Sequence, residues 1–166
     1  MQTNSPVSAP LIRLQSVNDF VEHSLKTAQT ARRRLFILSE NLDPYVYDTD
    51  EMFNALSEFV RRSRNIDLRI LVHNGKDLVE RGHRLARLHQ RLTSKVQLRE
   101  ITLEPNNRKM AFICADQQQL VYKNDDSAYF GFANPQAASE IKSLSEEFRR
   151  IWEFARDIPD LRSLYL

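Results

Sequence analysis

The chain has 166 residues, 42% hydrophobic and 28% charged, a globular composition at a length that suits one domain and could bury roughly 70% of the surface its unfolded chain exposes. Lys and Arg number 24 against 22 Asp and Glu, for a formal charge of +2, too small an imbalance to point to nucleic acid even with a sequence pI of about 8.8. No apolar run approaches the ~20 residues of a bilayer-crossing helix, one cysteine excludes an intramolecular disulfide framework, and three glycines argue against a glycine-rich phosphate cradle. Met1 to Pro10 carries neither the basic nor the apolar stretch of a secretory leader, so a cytoplasmic, reducing location is expected.

Residues 1–10, with Asn4, Ser5, Pro6, Ser8 and Pro10, have no period and read as a flexible N-terminal segment; residues 11–166 read as a single domain. Leu11, Ile12 and Leu14 form a short strand. Ser16 followed three residues later by Asp19 opens a helix to about Arg33, with Val17, Phe20, Val21, Ala28 and Ala31 on its apolar face. Leu35 to Leu38 is a buried strand closed by Ser39 and bounded by the turn residues Asn41 to Pro44. Asp48, Thr49 or Asp50 caps a second helix carrying Met52, Phe53, Leu56, Phe59 and Val60, which ends in Arg61, Arg62 and Arg64.

After a strand at Leu68 to Val72, Lys76 to Leu92 reads as one helix in which Leu78, Gly82, Leu85, His89 and Leu92 recur at steps of four and three. Val96, Leu98 and Ile101 form the next strand. Met110 to Cys114, Leu120 to Tyr122 and Ala128 to Ala133 are short β-prone runs separated by polar turns, and a long helix from Pro135 buries Ile141, Leu144, Phe148, Ile151, Trp152 and Ala155 before Pro159 ends it. This order implies an α/β sandwich with a mainly parallel or mixed central sheet flanked by helices.

Ligands of such sheets collect beyond the carboxyl ends of the strands. Ser39, Glu40, Asn41 and Asp43 follow one strand, His73 and Asn74 another, and Lys109 stands at the entry to the later strands. Structural roles compete: Asp43-Pro44 as a turn, Asp48 as a cap, His73 as a residue closing a strand. No His-x-x-x-His pair occurs among His23, His73, His83 and His89, so a metal site is not expected, and His89 reads as a core residue. Cys114, inside an apolar strand, reads as an inert thiol. Arg84, Arg87 and Arg91 fall one turn apart on a helix face, a solvated stripe or a phosphate contact, without the interleaved aromatics of a single-strand platform.

The segments Ser39 to Asp48, Arg69 to His73, Gly82 to Leu85 and Glu147 to Trp152 together resemble an uncharacterised bacterial domain family that is similar to the phospholipase D fold and often stands behind a GNAT-type N-acetyltransferase domain. Phospholipase D enzymes carry His-x-Lys-x-x-x-x-Asp followed by Gly-Ser-x-Asn: the His attacks phosphorus, the Lys and Asn hold phosphate oxygens, and the Asp orients the His. With Lys109 in register, Asn107 stands at the His position, Cys114 at the Asp position, Val121 and Tyr122 at the Gly-Ser positions, and Asn124 at the Asn position. A shifted register using Asp116 as the acid supplies no histidine either.

The resemblance therefore implies a domain without the family's catalytic chemistry or any cofactor, binding an anionic ligand or a protein partner, such as an acetyltransferase-type protein, in the old cleft. Lys109, Asn124, His73, Asn41, Asp43 and Arg84 are the candidates for that cleft. A homodimer that sets Lys109 and Asn124 near their mates is expected, because single-domain relatives commonly pair across a dyad. Two alternatives stand beside it: a phosphodiesterase with a replaced mechanism, in which His73 or His83 acts with Asp43 or Asp48, and a nucleic-acid-binding module using the Arg84, Arg87 and Arg91 face.

Overall fold

The computed structural model describes residues 11–162, so the expected N-terminal segment lies outside the described residues. In chain order the elements are β1 (Ile12–Leu14), α1 (Val17–Thr30), β2 (Arg34–Ser39), α2 (Pro44–Tyr47), α3 (Asp50–Arg61), β3 (Asp67–Val72), α4 (Gly75–Arg81), α5 (Arg84–Arg91), β4 (Val96–Glu100), β5 (Ala111–Ala115), β6 (Gln119–Lys123), β7 (Gly131–Asn134), α6 (Ala138–Phe154) and α7 (Pro159–Arg162). The seven strands form one mixed sheet in the order β1-β7-β6-β5-β2-β3-β4. Only β2 with β3 and β3 with β4 run parallel; the other neighbours are antiparallel. The α/β sandwich is as read from the sequence, with antiparallel pairs outnumbering parallel ones.

Alternation along each strand divides the core in two. Leu35, Ile37, Leu68, Ile70, Leu98 and Ile113 face one side, where α1, α3, α4 and α5 supply Phe20, Leu56, Phe59, Leu78 and Leu85. Phe36, Leu38, Leu71, Phe112 and Cys114 face the other, covered by α6 through Ile141, Phe148, Ile151 and Trp152. Phe148 stacks on Phe36 at 4.4 Å between ring centroids and lies 5.9 Å from Trp152, pairs that add about 1 kcal/mol each to their area burial.

Several boundaries depart from the sequence reading, among them the last helix, which starts at Ala138 rather than Pro135, and the run at Ala128 to Ala133, whose strand is Gly131–Asn134. The helix expected over Lys76 to Leu92 is two helices, because Gly82 adopts a left-handed φ of 59° as the cap of α4 and His83 then caps α5. The first helix stops at Thr30 rather than Arg33: the Asp116 carboxylate takes the backbone N–H groups of Arg32, Arg33 and Arg34 (3.1, 2.8 and 3.1 Å) and draws them toward β2. Asp43-Pro44, read as a turn, is the cap and first residue of α2. Pro159 opens α7 instead of only ending the preceding helix.

Candidate functional site

The carboxyl ends of β2, β3 and β6 and the entry to β5 share one edge of the sheet. There a cleft of about 400 Å³ is bounded by Glu40, Asn41, Asp43, Pro44 and His73 on one side and Arg108, Lys109, Met110, Asp125, Asp126 and Ser127 on the other. Asp126 ties these segments together. Its Oδ2 accepts from the Ser39 hydroxyl (3.2 Å) and the Glu40 N–H (2.8 Å), and its own N–H donates to the Lys109 carbonyl (2.8 Å). Beneath it Lys123, 6% exposed, places Nζ 3.6 Å from Asp126 Oδ1 and over the rings of Phe20 (4.8 Å) and Tyr129 (4.6 Å). Two aromatic faces and one carboxylate offset the desolvation of that ammonium.

The loop after β2 is held just as closely. Leu42 is fully buried in a left-handed conformation (φ 55°), its N–H donating to the Ser39 hydroxyl (3.0 Å) and its carbonyl accepting from His83 Nε2 (2.9 Å). His83 Nδ1 accepts from the Leu85 N–H (3.1 Å), so the ring is neutral with its proton on Nε2. Burial pushes the His83 pKa down from its ordinary value, against the opposing pull of the Leu42 carbonyl and Asp48. Asp43 uses one oxygen to cap α2 through the Tyr45 N–H (3.0 Å) and the other to accept from the Tyr129 hydroxyl (2.6 Å). Burial first, then the bond to Asp43 and its charge, raise the Tyr129 pKa, so the phenol stays protonated.

Of the residues picked out from the sequence, Asn41, Asp43, His73 and Lys109 all line the cleft. His73 contributes a ring whose Nε2 is buried without a partner among the described residues. Asn41 is turned partly to structure, its amide donating to Asp77 Oδ2 (2.9 Å). Asn124 lies beside the cleft, with Oδ1 accepting from the Asn107 amide at 2.7 Å; Asn107 Oδ1 accepts in turn from the Lys109 N–H (3.2 Å). Arg84 is not brought there. It opens α5 and is held by Asp48 (Nη1 to Oδ1, 3.1 Å) and Asp50 (Nε to Oδ1, 3.0 Å). Burial raises the Asp48 carboxyl, but the Arg84 N–H and the Arg84 guanidinium outweigh it and hold the pKa below the usual range.

Sequence reasoning misses Lys123 and Asp126, because Lys123 to Ser127 reads as a polar turn, and Tyr129, because Ala128 to Ala133 reads as a strand. The available signal was two consecutive aspartates, Asp125 and Asp126, between β-prone runs. Neither position for a motif acid reaches the cleft. Cys114 is fully buried under α6, with burial pushing its thiol up to about 12. Asp116 sits at the far end of β5 with both oxygens taken by backbone amides. Among the described residues no three His, Cys, Asp or Glu side chains converge as a metal ion requires, and no helix is long and apolar enough to cross a membrane.

The sequence profile of a domain of unknown function (DUF7931) matches residues 16–164. The chain belongs to this family. Comparison with curated proteins finds no match. Among solved structures, the chain is similar to TrmBL2, an archaeal chromatin protein described as showing a novel mode of DNA binding, with a TM-score of 0.67 and 12% identity over 93% of this chain and 57% of that one. The chain thus spans little more than half of TrmBL2. It is also similar to Nuc from Salmonella typhimurium, a phospholipase D family member (TM-score 0.58, 13% identity, 90% of this chain and 96% of that chain), and to NucT from Helicobacter pylori (0.56, 11%, 90% and 100%). At such identities the likeness concerns the fold: this DUF7931 chain has the phospholipase-D-like α/β sandwich that the motifs led one to expect.

Proposed function

We propose that this chain is a non-catalytic phospholipase-D-like domain whose cleft binds a polypeptide, with a second copy of the chain as the occupant its charges fit best. The observation that carries this reading is the Asn107–Asn124 pair beside Lys109. In the register of the resembled motif an amide occupies the nucleophile position, and its Nδ2 is already committed to Asn124. An amide cannot form a phosphoenzyme. His73, the remaining cleft histidine, has no carboxylate bound to its ring among the described residues to orient it as a base.

Between an anion and a protein segment, the lining favours the segment. Glu40, Asp43, Asp125 and Asp126 outnumber Arg108 and Lys109, so a phosphate would enter against carboxylates. Tyr45 (71% exposed), Tyr129 (36%) and Phe130 (60%) stand at or next to this rim and supply the aromatic area on which protein contacts depend. Cations and carboxylates on one rim are self-complementary across a two-fold axis, which suits an isologous dimer. An acetyltransferase-type protein would be an occupant of the same chemical kind, and a cytoplasmic location remains part of this reading.

Light scattering at high concentration tests the dimer. A species twice the 19.5 kDa chain mass, dissociated by Lys109→Glu with Arg108→Glu, is expected; a monomer would remove the second copy as occupant. Bis(p-nitrophenyl) phosphate should not be hydrolysed. Turnover that vanishes in His73→Ala would replace the proposal with the phosphodiesterase reading.

A further inference from the structure

A second concentration of charge lies away from the cleft, on the sheet face that α6 covers. Strand register sets its geometry. Arg34 on β2 is level with Asp67; Arg69 on β3 is level with Phe36, two residues on; Arg99 on β4 is level with Leu71, two residues on again. The three arginines thus step diagonally over neighbouring parallel strands on one face, at about 8 Å per step for strands about 4.8 Å apart and a rise of about 3.3 Å per residue. Arg149 of α6 joins the row from above.

Each of these guanidiniums lies against an aromatic ring. Arg34, Arg69 and Arg149 are 5.5, 5.9 and 5.5 Å from the Phe36 centroid, and Arg69 and Arg99 are 5.4 and 4.6 Å from that of Trp152. A cation–π contact holds a guanidinium without consuming its N–H donors. A guanidinium has five N–H donors. In this row Arg69 commits Nε to Asp67 (2.8 Å) and Arg99 commits one Nη to the Trp152 carbonyl (3.0 Å), while Arg34 and Arg149 have no carboxylate partner among the described residues. The row continues into a groove of about 840 Å³ at the amino-terminal ends of β2 and β3, lined by Arg32, Arg33, Arg34, Asn65, Asp67 and Gln117 to Gln119 with Thr30 and Asp116. Two carboxylates stand against these six cations: Asp67 is paired with Arg69, and Asp116 is held by the backbone amides of residues 32–34.

Guanidiniums with unmade donors, aligned in a row and outnumbering the two carboxylates of the groove, match a polymer of phosphates. Phe36 and Trp152 are buried beneath the arginines (0% and 6% exposed), so they hold the cations and offer no surface for stacking bases. We infer that this face binds the phosphate backbone of duplex nucleic acid, without reading sequence, through Arg32, Arg33, Arg34, Arg69, Arg99 and Arg149. It is a different surface from the Arg84, Arg87 and Arg91 stripe, whose first member is tied to Asp48 and Asp50. It also does not depend on the cleft.

The full chain titrated with a fluorescein-labelled DNA duplex of arbitrary sequence tests this. Engagement of one phosphate by each of the six arginines gives a slope of log Kobs against log salt of about −5.4. Trp152 is the sole tryptophan and carries two of the arginines, so its emission should change in step with binding. Arg34→Gln with Arg149→Gln should flatten the slope by about 2, one unit per lost contact. Arg32→Gln with Arg33→Gln, whose side chains are exposed, should do the same, whereas Arg87→Gln with Arg91→Gln should leave the slope unchanged. Absence of binding at low salt, equal losses in all three variants, or equal arginine-dependent binding to phosphatidylserine vesicles would each overturn the inference.

Discussion

The two ends of the central sheet handle charge in opposite ways. At the carboxyl end, Asp126, Asp43 and Lys123 are spent on one another and on the loops: each carboxylate accepts from a backbone N–H, and the lysine is sealed under two rings. At the amino end and on the face above it, the arginines rest on aromatic rings with most of their donors unmade. Paired charges build shape, and unpaired ones wait for a partner. The cleft therefore owes its form to its polar groups, whereas the arginine face owes its form to Phe36, Trp152 and the strands, and apart from the Arg69–Asp67 and Arg99–Trp152 bonds its donors are open to a partner.

The comparison breaks most visibly at Asp126. Asp126→Asn leaves Lys123, with an 8% exposed side chain, without its carboxylate, and loss of one partner of a buried pair costs about 3 to 5 kcal/mol. Urea unfolding should register that loss. Adding Lys123→Met should recover most of it, because an apolar chain fits between Phe20 and Tyr129. A loss below about 1 kcal/mol would mean that the pair is solvated and the cleft does not depend on it.

At the opposite end Asp116→Ala is the matching test. It removes the acceptor for three backbone amides and places alanine at φ 60°, for an expected loss of about 2 to 3 kcal/mol. Asp116→Asn, which tolerates that conformation and keeps one acceptor oxygen, should lose about 1 kcal/mol less. Since residues 32–34 are then held loosely, the alanine variant should also bind the DNA duplex more weakly, through lost ordering of Arg32 to Arg34.

How much of this could be read beforehand follows the range of the forces involved. Strands such as Leu35 to Leu38 and Leu68 to Val72 were legible because a short apolar run between polar turns has few other uses. The carboxyl-end rule picks out Asn41, Asp43 and His73 after two strands and the motif register picks out Lys109, but that they share one edge follows only from the strand order. What escaped depends on partners distant in sequence. The break at Gly82 is stabilised by His83 reaching Leu42, and the apolar period runs through it without a visible change of phase. The arginine row needs the order β2-β3-β4, which turns Arg34, Arg69 and Arg99 from three isolated basic residues into neighbours. Trp152, read only as a core residue of the last helix, supplies the ring for two of them.

His83 sharpens the contrast through pH. Its folded pKa lies below the ordinary 6.5, so between those values the unfolded chain binds more protons, and stability falls as pH is lowered through that window. Asp48, with a carboxyl held below its ordinary 3.8, adds a further loss only under more acid conditions. Urea midpoints from pH 7 down to pH 5 should therefore decline, and His83→Gln should flatten the decline while lowering stability at pH 7. An unchanged slope would assign the dependence to another histidine.

The smallest effect belongs to Asn107→His. Restoring an imidazole at that position removes the 2.7 Å bond to Asn124, worth about 1 kcal/mol, yet it should not create a phosphodiesterase. A nucleophilic histidine needs a carboxylate to fix its tautomer and stabilise its charged form. In this sheet the two nearby claimants are fixed elsewhere, Cys114 as a buried thiol under α6 and Asp116 at the far end of β5. The cleft carboxylates are engaged as well, Asp126 by Ser39, Glu40 and Lys123, and Asp125 by the Ser127 hydroxyl and N–H, which hold its pKa low. Measurable hydrolysis by Asn107→His would show that one of these carboxylates is free to turn, and the picture of Asp125 and Asp126 as fixed by their own loops would fail at that residue.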